Sequence, residues 1–373
     1  THCISSAASD VYKRQHIFNT NPFSISHGAT GVIFALNFIN SNLNLNYDNY
    51  INAMGKKIIN DWRKNGIYSM PSGLLIGSAG ILLASSKFDF IDESHIIFKE
   101  LKNQAIPREN NIFYGKAGII IALLYFFKKF YKYEARDKAI EIADLLITLK
   151  PEDTDVPSIY EGNAGIAVVL LTVYEYTKDK KYLSKAMEFK NWVLKQVYKN
   201  NRNNLTVNRL SPSSGEFVES SFLYNGIAGI GMMLLFFYKV TDDEKCKIML
   251  ESVVESLHFK IHHFPSLMRG LSGIIDFLIT CYQENIGDQR DLEKVIEIQI
   301  STLKLFEVNI QNYDKKSFLG FAGEQLMKIS HDLYTGTAGV AGVISRWLAV
   351  MTGKKVPSVE PVLSTLSYLL EGR

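Results

Sequence analysis

A five-residue phrase, Gly-x-(Ala/Ser/Thr)-Gly followed by Ile or Val, recurs seven times and limits the fold of this chain more than any other feature. The copies start at Gly28, Gly77, Gly115, Gly162, Gly226, Gly270 and Gly336. One Gly pair marks a turn; seven, each with a small third residue and a β-branched fifth, make an internal repeat. The first Gly is expected to open backbone angles closed to other residues and so turn the chain sharply. The small residue and the second Gly are expected to let a helix start close against its neighbour. An apolar run follows each copy, as at residues 119–127 and 166–173. These runs are apolar all round, which reads as buried helix, and too short to span a bilayer.

Amphipathic segments with charged faces alternate with the runs, at residues 47–63, 92–101, 133–149, 181–198, 242–257, 291–306 and 362–370. Each inner helix is therefore expected to have an outer partner, giving seven helical hairpins in an all-α protein with weak strand signals throughout. Successive first glycines lie 49, 38, 47, 64, 44 and 66 residues apart. An open solenoid keeps a tighter period. A constant core unit with variable polar connections, notably 199–217 and 309–328, suits a closed α/α toroid (a double barrel) with all turns at one end. Helix N-termini would converge there on a central cavity and favour developing negative charge.

An apolar fraction of 47% over 373 residues is that of a globular protein. A net charge of +3 makes no case for nucleic acid or an anionic membrane surface. Cys3, Cys246 and Cys281 are few and scattered, as in a reducing cytoplasm rather than a disulfide framework. Residues 1–15 lack periodicity and resemble a translated adapter sequence, so they are set aside as adventitious or disordered, leaving 16–373 as one domain.

Seven Gly-x-Ala-Gly turns opening buried helices resemble the lanthionine synthetase C-like family, the cyclases of lanthipeptide biosynthesis. The similarity runs from about Phe23 to Arg373. It implies addition of a peptide cysteine thiol to dehydroalanine or dehydrobutyrine, with a ribosomally made precursor peptide as partner. Zinc-dependent members carry Trp-Cys-x-Gly at the fifth turn, Cys-His-Gly at the sixth and a His before the fourth Gly. Here those places read Leu223-Tyr224-Asn225-Gly226, Met268-Arg269-Gly270 and Glu161-Gly162. The thiolate and imidazole ligands that hold zinc are absent from them, so neither metal nor other cofactor is expected. This departure resembles the zinc-independent cyclase domain of class III lanthipeptide synthetases. That resemblance implies kinase and lyase domains upstream, with this chain the C-terminal part of a longer synthetase. A degenerate toroid that only binds peptide is the alternative, and an α/α-toroid glycosidase a more remote one.

Without metal, the work falls to residues just before each first Gly. His27 is the natural base, since imidazole titrates near neutrality, unless it merely caps the following helix. Arg269 or Lys116 would hold the enolate oxygen, and Glu161 or a tyrosine hydroxyl, Tyr224 foremost, would return the proton. Tyr114, Tyr160, Asn225, Tyr334 and Asp332 are expected to line the same space and bind substrate. The tyrosines could equally pack between hairpins. Asp276, inside the sixth apolar run, reads as a satisfied buried group.

Overall fold

The computed structural model describes residues 22–371 except 66–69, 211–214, 260–261, 312–316, 324–325 and 327–328. Residues 1–15 thus lie outside the described residues. Every Gly phrase opens a helix. Seven inner helices result: α1 (Ala29–Leu43), α3 (Ser78–Lys87), α5 (Lys116–Phe130), α7 (Asn163–Thr177), α9 (Ile227–Thr241), α11 (Leu271–Gln283) and α13 (Thr337–Met351). Each packs on the next and α13 packs on α1, so the ring closes. Among the described residues six outer helices follow the inner ones: α2 (Asp48–Asn65), α4 (Ile91–Asn103), α6 (Tyr133–Leu146), α8 (Lys180–Lys195), α10 (Glu244–Ser256) and α12 (Gln289–Leu303). Their apolar stripes, such as Tyr182, Ala186, Phe189 and Val193 on α8, are buried against the ring and their charged faces meet water.

The rim of turns is stitched by backbone hydrogen bonds at one equivalent position, two residues before the first Gly. Ser26 N–H donates to the Leu75 carbonyl (3.1 Å), Leu75 to Phe113 (3.2 Å) and Phe113 to Tyr160 (3.1 Å). Tyr224 donates to Met268 (3.1 Å), Met268 to Tyr334 (3.0 Å) and Tyr334 back to Ser26 (3.4 Å). The second Gly of each phrase is what this closeness demands. A Cβ on Gly31 would fall 1.9 Å from the Ile25 carbonyl oxygen, and one on Gly165 2.0 Å from that of Ile159. The first Gly works differently from the expectation. Its φ is negative in every copy, from −100° at Gly28 to −157° at Gly270. Space, not a left-handed backbone, selects it: a Cβ on Gly77 would lie 2.2 Å from the Pro71 carbonyl oxygen.

Two features depart from the sequence reading. First, the polar connections fold. Strands β1 (Tyr198–Lys199), β2 (Leu205–Leu210) and β3 (Phe217–Ser220) form an antiparallel sheet before the fifth turn. Strands β4 (Glu307–Gln311) and β5 (Ser317–Phe321) form a hairpin before the seventh. Both stand at the turn end of the toroid, and Phe321 N–H is tied to the Thr337 hydroxyl at 3.0 Å.

Second, the last helix, α14 (Pro361–Leu370), is not an outer partner of α13. It packs on α5, α7 and α9. Residues 361–366 and Leu369 are buried. Its C-terminal end is held by the Lys128 ammonium, which donates to the carbonyl oxygens of Tyr368 and Glu371. The helix is therefore an axial plug, parallel to the inner ring. A buried ion pair anchors the strap leading into it. The Arg346 guanidinium donates to the Asp276 carboxylate (2.7 Å), the Asp276 carbonyl (2.6 Å) and the Val356 carbonyl (3.2 Å). Asp276 also accepts from the Ser358 hydroxyl and from Val359 N–H. This satisfies Asp276 as the sequence reading expected.

Candidate functional site

The turns are built alike, so the residues that differ between them define the site. Four residues before the first Gly, a short polar side chain often accepts from the backbone of its own turn. The Ser24 hydroxyl accepts from His27 N–H, Asn111 from Tyr114 N–H, and Ser158 from Glu161 N–H. At the seventh turn this position is Asp332, which accepts from the N–H groups of Tyr334 (2.9 Å) and Thr335 (2.7 Å) and from the Thr335 and Ser330 hydroxyls. Its Oδ1 also lies 3.4 Å from His27 Nδ1 across the joint between the first and last turns. Burial alone would raise the Asp332 carboxyl, but the His27 ring, then Ser330 and Thr335, outweigh it and hold it down at about 2. The His27 ring is partly exposed at the rim and braced by an ionised carboxylate.

A second group spans the third to sixth turns. The Arg269 guanidinium sits 4.7 Å over the Tyr224 ring. Burial, and then Glu161 beside them, pushes the Tyr224 and Tyr114 phenols up, more strongly for buried Tyr224, while Arg269 opposes. Phe113 meets Tyr114 at 4.4 Å and Tyr224 edge-on at 6.0 Å. Tyr114 is half-open to solvent.

Between the two groups the phenols go inward. Tyr160 stacks on Tyr224 with ring centres 5.4 Å apart and planes 20° apart, and meets Tyr334 at 6.4 Å. All three rings are buried. Tyr334 donates its hydroxyl to Glu360, whose other oxygen accepts from Leu363 N–H at 2.6 Å to cap α14. Burial raises the Glu360 carboxyl, as it does the Tyr160 and Tyr334 phenols, which the same carboxylate pushes further.

Thus His27 and Asp332 come together, as do Glu161, Arg269, Tyr224 and Tyr114, with Tyr160 and Tyr334 beneath. Two expected site residues turn elsewhere. The Lys116 ammonium is drawn to its own loop, donating to the Arg108 carbonyl (2.9 Å) and Asn110 Oδ1 (2.8 Å). Asn225 accepts from the Ser220 hydroxyl at 3.4 Å. Glu360 was not foreseen at all. The signal was available: every other late helix carries charge, whereas Pro-Val-Leu-Ser-Thr-Leu-Ser-Tyr-Leu-Leu has none, the mark of a helix buried on all sides.

The residues at these turns do not suit zinc. The fourth to sixth turns offer one carboxylate, phenols, a thioether and a guanidinium, and a guanidinium repels a cation. Among the described residues no cluster of three or more His, Cys, Asp or Glu side chains could hold a metal ion. Cys246 and Cys281 are buried in α10 and α11.

The sequence profile of the family described as lanthionine synthetase C-like protein matches residues 113–218 and 216–370. A protein of Streptomyces coelicolor named probable SapB synthase is 27% identical over 183 residues, 48% of this chain but 18% of that protein. The structure named nisin cyclase superposes with a TM-score of 0.70 at 14% identity, covering all of this chain and 99% of that one. At that identity the likeness concerns the fold. No helix among the described residues is long and apolar enough to cross a membrane.

Proposed function

The chain belongs to the lanthionine synthetase C-like family, and on that premise we propose that it is a metal-independent lanthipeptide cyclase. It adds the thiol of a peptide cysteine across the double bond of dehydroalanine or dehydrobutyrine and closes a thioether ring. In this reading it is the cyclase part of a class III type synthetase, partnered by kinase and lyase domains, acting on a ribosomal precursor peptide in the cytoplasm.

The observation that carries the reading is the His27–Asp332 pair on the rim. A partly exposed imidazole with Nδ1 on an ionised carboxylate is the group suited to take the thiol proton. Asp332 steadies the imidazolium that results, as an orienting carboxylate does elsewhere. The thiolate then attacks the β-carbon of the alkene, and the π electrons pass to the amide oxygen as an enolate. The Arg269 guanidinium, fixed on Tyr224, supplies positive charge where that oxygen becomes negative. Protonation of the α-carbon restores the amide, with Glu161 and the adjoining phenols of Tyr224 and half-open Tyr114 as the proton relay. One proton leaves sulfur and one reaches carbon, so nothing is consumed. Stabilising the thiolate falls to the imidazolium.

The test uses a dehydrated, cysteine-containing precursor peptide, with thiol alkylation and mass spectrometry to count unclosed rings. His27→Ala should slow closure ~100- to 10,000-fold, the usual worth of acid–base assistance. Arg269→Ala and Glu161→Gln should slow it as well. Wild type that binds the peptide without accelerating closure would leave a peptide-binding module instead.

A further inference from the structure

A carboxylate buried at the centre of an apolar barrel is costly to desolvate, and Glu360 is 1% exposed. Its two oxygens do two jobs. One caps α14 through Leu363 N–H, a task that Asp179, Asp243 and Asp288 perform at the starts of α8, α10 and α12. The other accepts from Tyr334, a phenol on the seventh turn. Tyr160, on the fourth turn, meets the Tyr334 ring at 6.4 Å. From Tyr160 the contact continues by stacking to Tyr224 and by cation–π contact to Arg269 at the rim. Each step is a flat or directional contact, so lateral freedom is small at every link. The latch formed by Asp276 and Arg346 fixes residues 356–359 immediately before Glu360, which settles the carboxylate along the barrel axis.

We propose that Glu360 is a positioning residue for the cyclase site: it holds the Tyr334 phenol at the axis and, through the Tyr334–Tyr160 contact and the Tyr160–Tyr224 stack, sets the place of Arg269 at the mouth. The C-terminal helix is then part of the site's support. This rests on the cyclase reading for its kinetic consequence, but not for the stack itself. Displacing a charge-stabilising group by a fraction of its reach lowers the rate of the chemical step without changing how the rest of the peptide binds.

The experiment compares wild type with Glu360→Gln, Glu360→Ala and Tyr334→Phe. Ring resonances of labelled tyrosines, assigned through Tyr160→Phe and Tyr224→Phe, report the stack independently of activity. Single-turnover ring closure and peptide affinity are measured on the same preparations. Glu360→Ala should shift the Tyr160 and Tyr224 resonances, leave peptide affinity unchanged and slow closure on the order of 10- to 100-fold. Glu360→Gln, which keeps one acceptor oxygen for Leu363 N–H and can offer its NH2 to the Tyr334 hydroxyl oxygen, should recover most of the rate. Tyr334→Phe removes a single oxygen and carries the same test if Glu360→Ala fails to fold. The double variant Glu360→Gln/Tyr334→Phe should be no slower than Tyr334→Phe, because both act through one contact. Tyr160 and Tyr224 resonances that stay at their wild-type positions would overturn the proposal, as would shifted resonances with an unchanged rate. A wild type without ring closure would sink the cyclase reading alone, and the resonances would still decide whether Glu360 holds the stack.

Discussion

Replacing Arg346 by Met tests how the axial helix is held. Arg346 and Asp276 are each 1% exposed, so water cannot take over for a missing partner. Met fills much of the space but leaves Asp276 with the Ser358 hydroxyl and Val359 N–H as its donors, and the Val356 carbonyl loses two contacts. Removing one partner of a buried pair costs about 3–5 kcal/mol, chiefly because a charge is left uncompensated. At about 2 °C per kcal/mol, the low end for long chains, the midpoint of thermal unfolding should fall by roughly 6–10 °C. Adding Asp276→Asn removes that charge while keeping one acceptor oxygen for Val359 N–H and turning an NH2 toward the Ser358 hydroxyl oxygen. The double variant should regain about half the loss, despite carrying one more substitution. Differential scanning calorimetry, supported by urea titration, reads both. A single variant within about 1 kcal/mol of wild type, or a double variant less stable than the single, would refute the reasoning.

Further outcomes follow from the same contacts. Gly165→Ala puts a Cβ 2.0 Å from the Ile159 carbonyl oxygen and 2.9 Å from Ile112 Cδ1, so it should cost at least about 3 kcal/mol or prevent folding. Gly353→Ala, at φ +83° with nothing within 4 Å, should cost only about 1–2 kcal/mol in a chemical denaturation series. Leu366→Ala, fully buried on α14, should cost about 2–5 kcal/mol. Asp332 is held at about 2 against roughly 3.9 for a free Asp, so its folded pKa is depressed. Its contribution, about 2–3 kcal/mol, is present above pH ~4 and lost as pH falls from ~4 through ~2. Asp332→Asn should therefore narrow the stability difference from wild type across that acid window, which parallel urea titrations measure.

The toroid was legible because its cause is local: the second Gly of each phrase meets a carbonyl three residues before its own first Gly, so one short pattern carries the geometry seven times. The charged faces of the six outer helices were equally plain. The axial position of α14 was missed because a helix was sought for each hairpin, and its uncharged sequence was read as a short outer stripe. The strands were missed because β4–β5 pairs a polar stretch held by register rather than by a buried face. At the site, the rim residues could be named from their place before each Gly, but not their pairing. Asp332 occupies the same turn-capping position as Ser24, Asn111 and Ser158, and only the closing of the ring brings its Oδ1 to His27. Lys116 was misjudged because its own loop supplies two acceptors within reach.

The central claim is that a ring of turns without thiolate or imidazole zinc ligands at the fourth to sixth positions still closes thioether rings. It is tested most directly by measuring ring closure on a dehydrated precursor peptide with protein stripped by chelator and kept in chelator throughout. The account predicts closure well above the uncatalysed rate, unchanged by added zinc and lost with His27→Ala. Closure that appears only when zinc is restored, or that His27→Ala leaves intact, would contradict it.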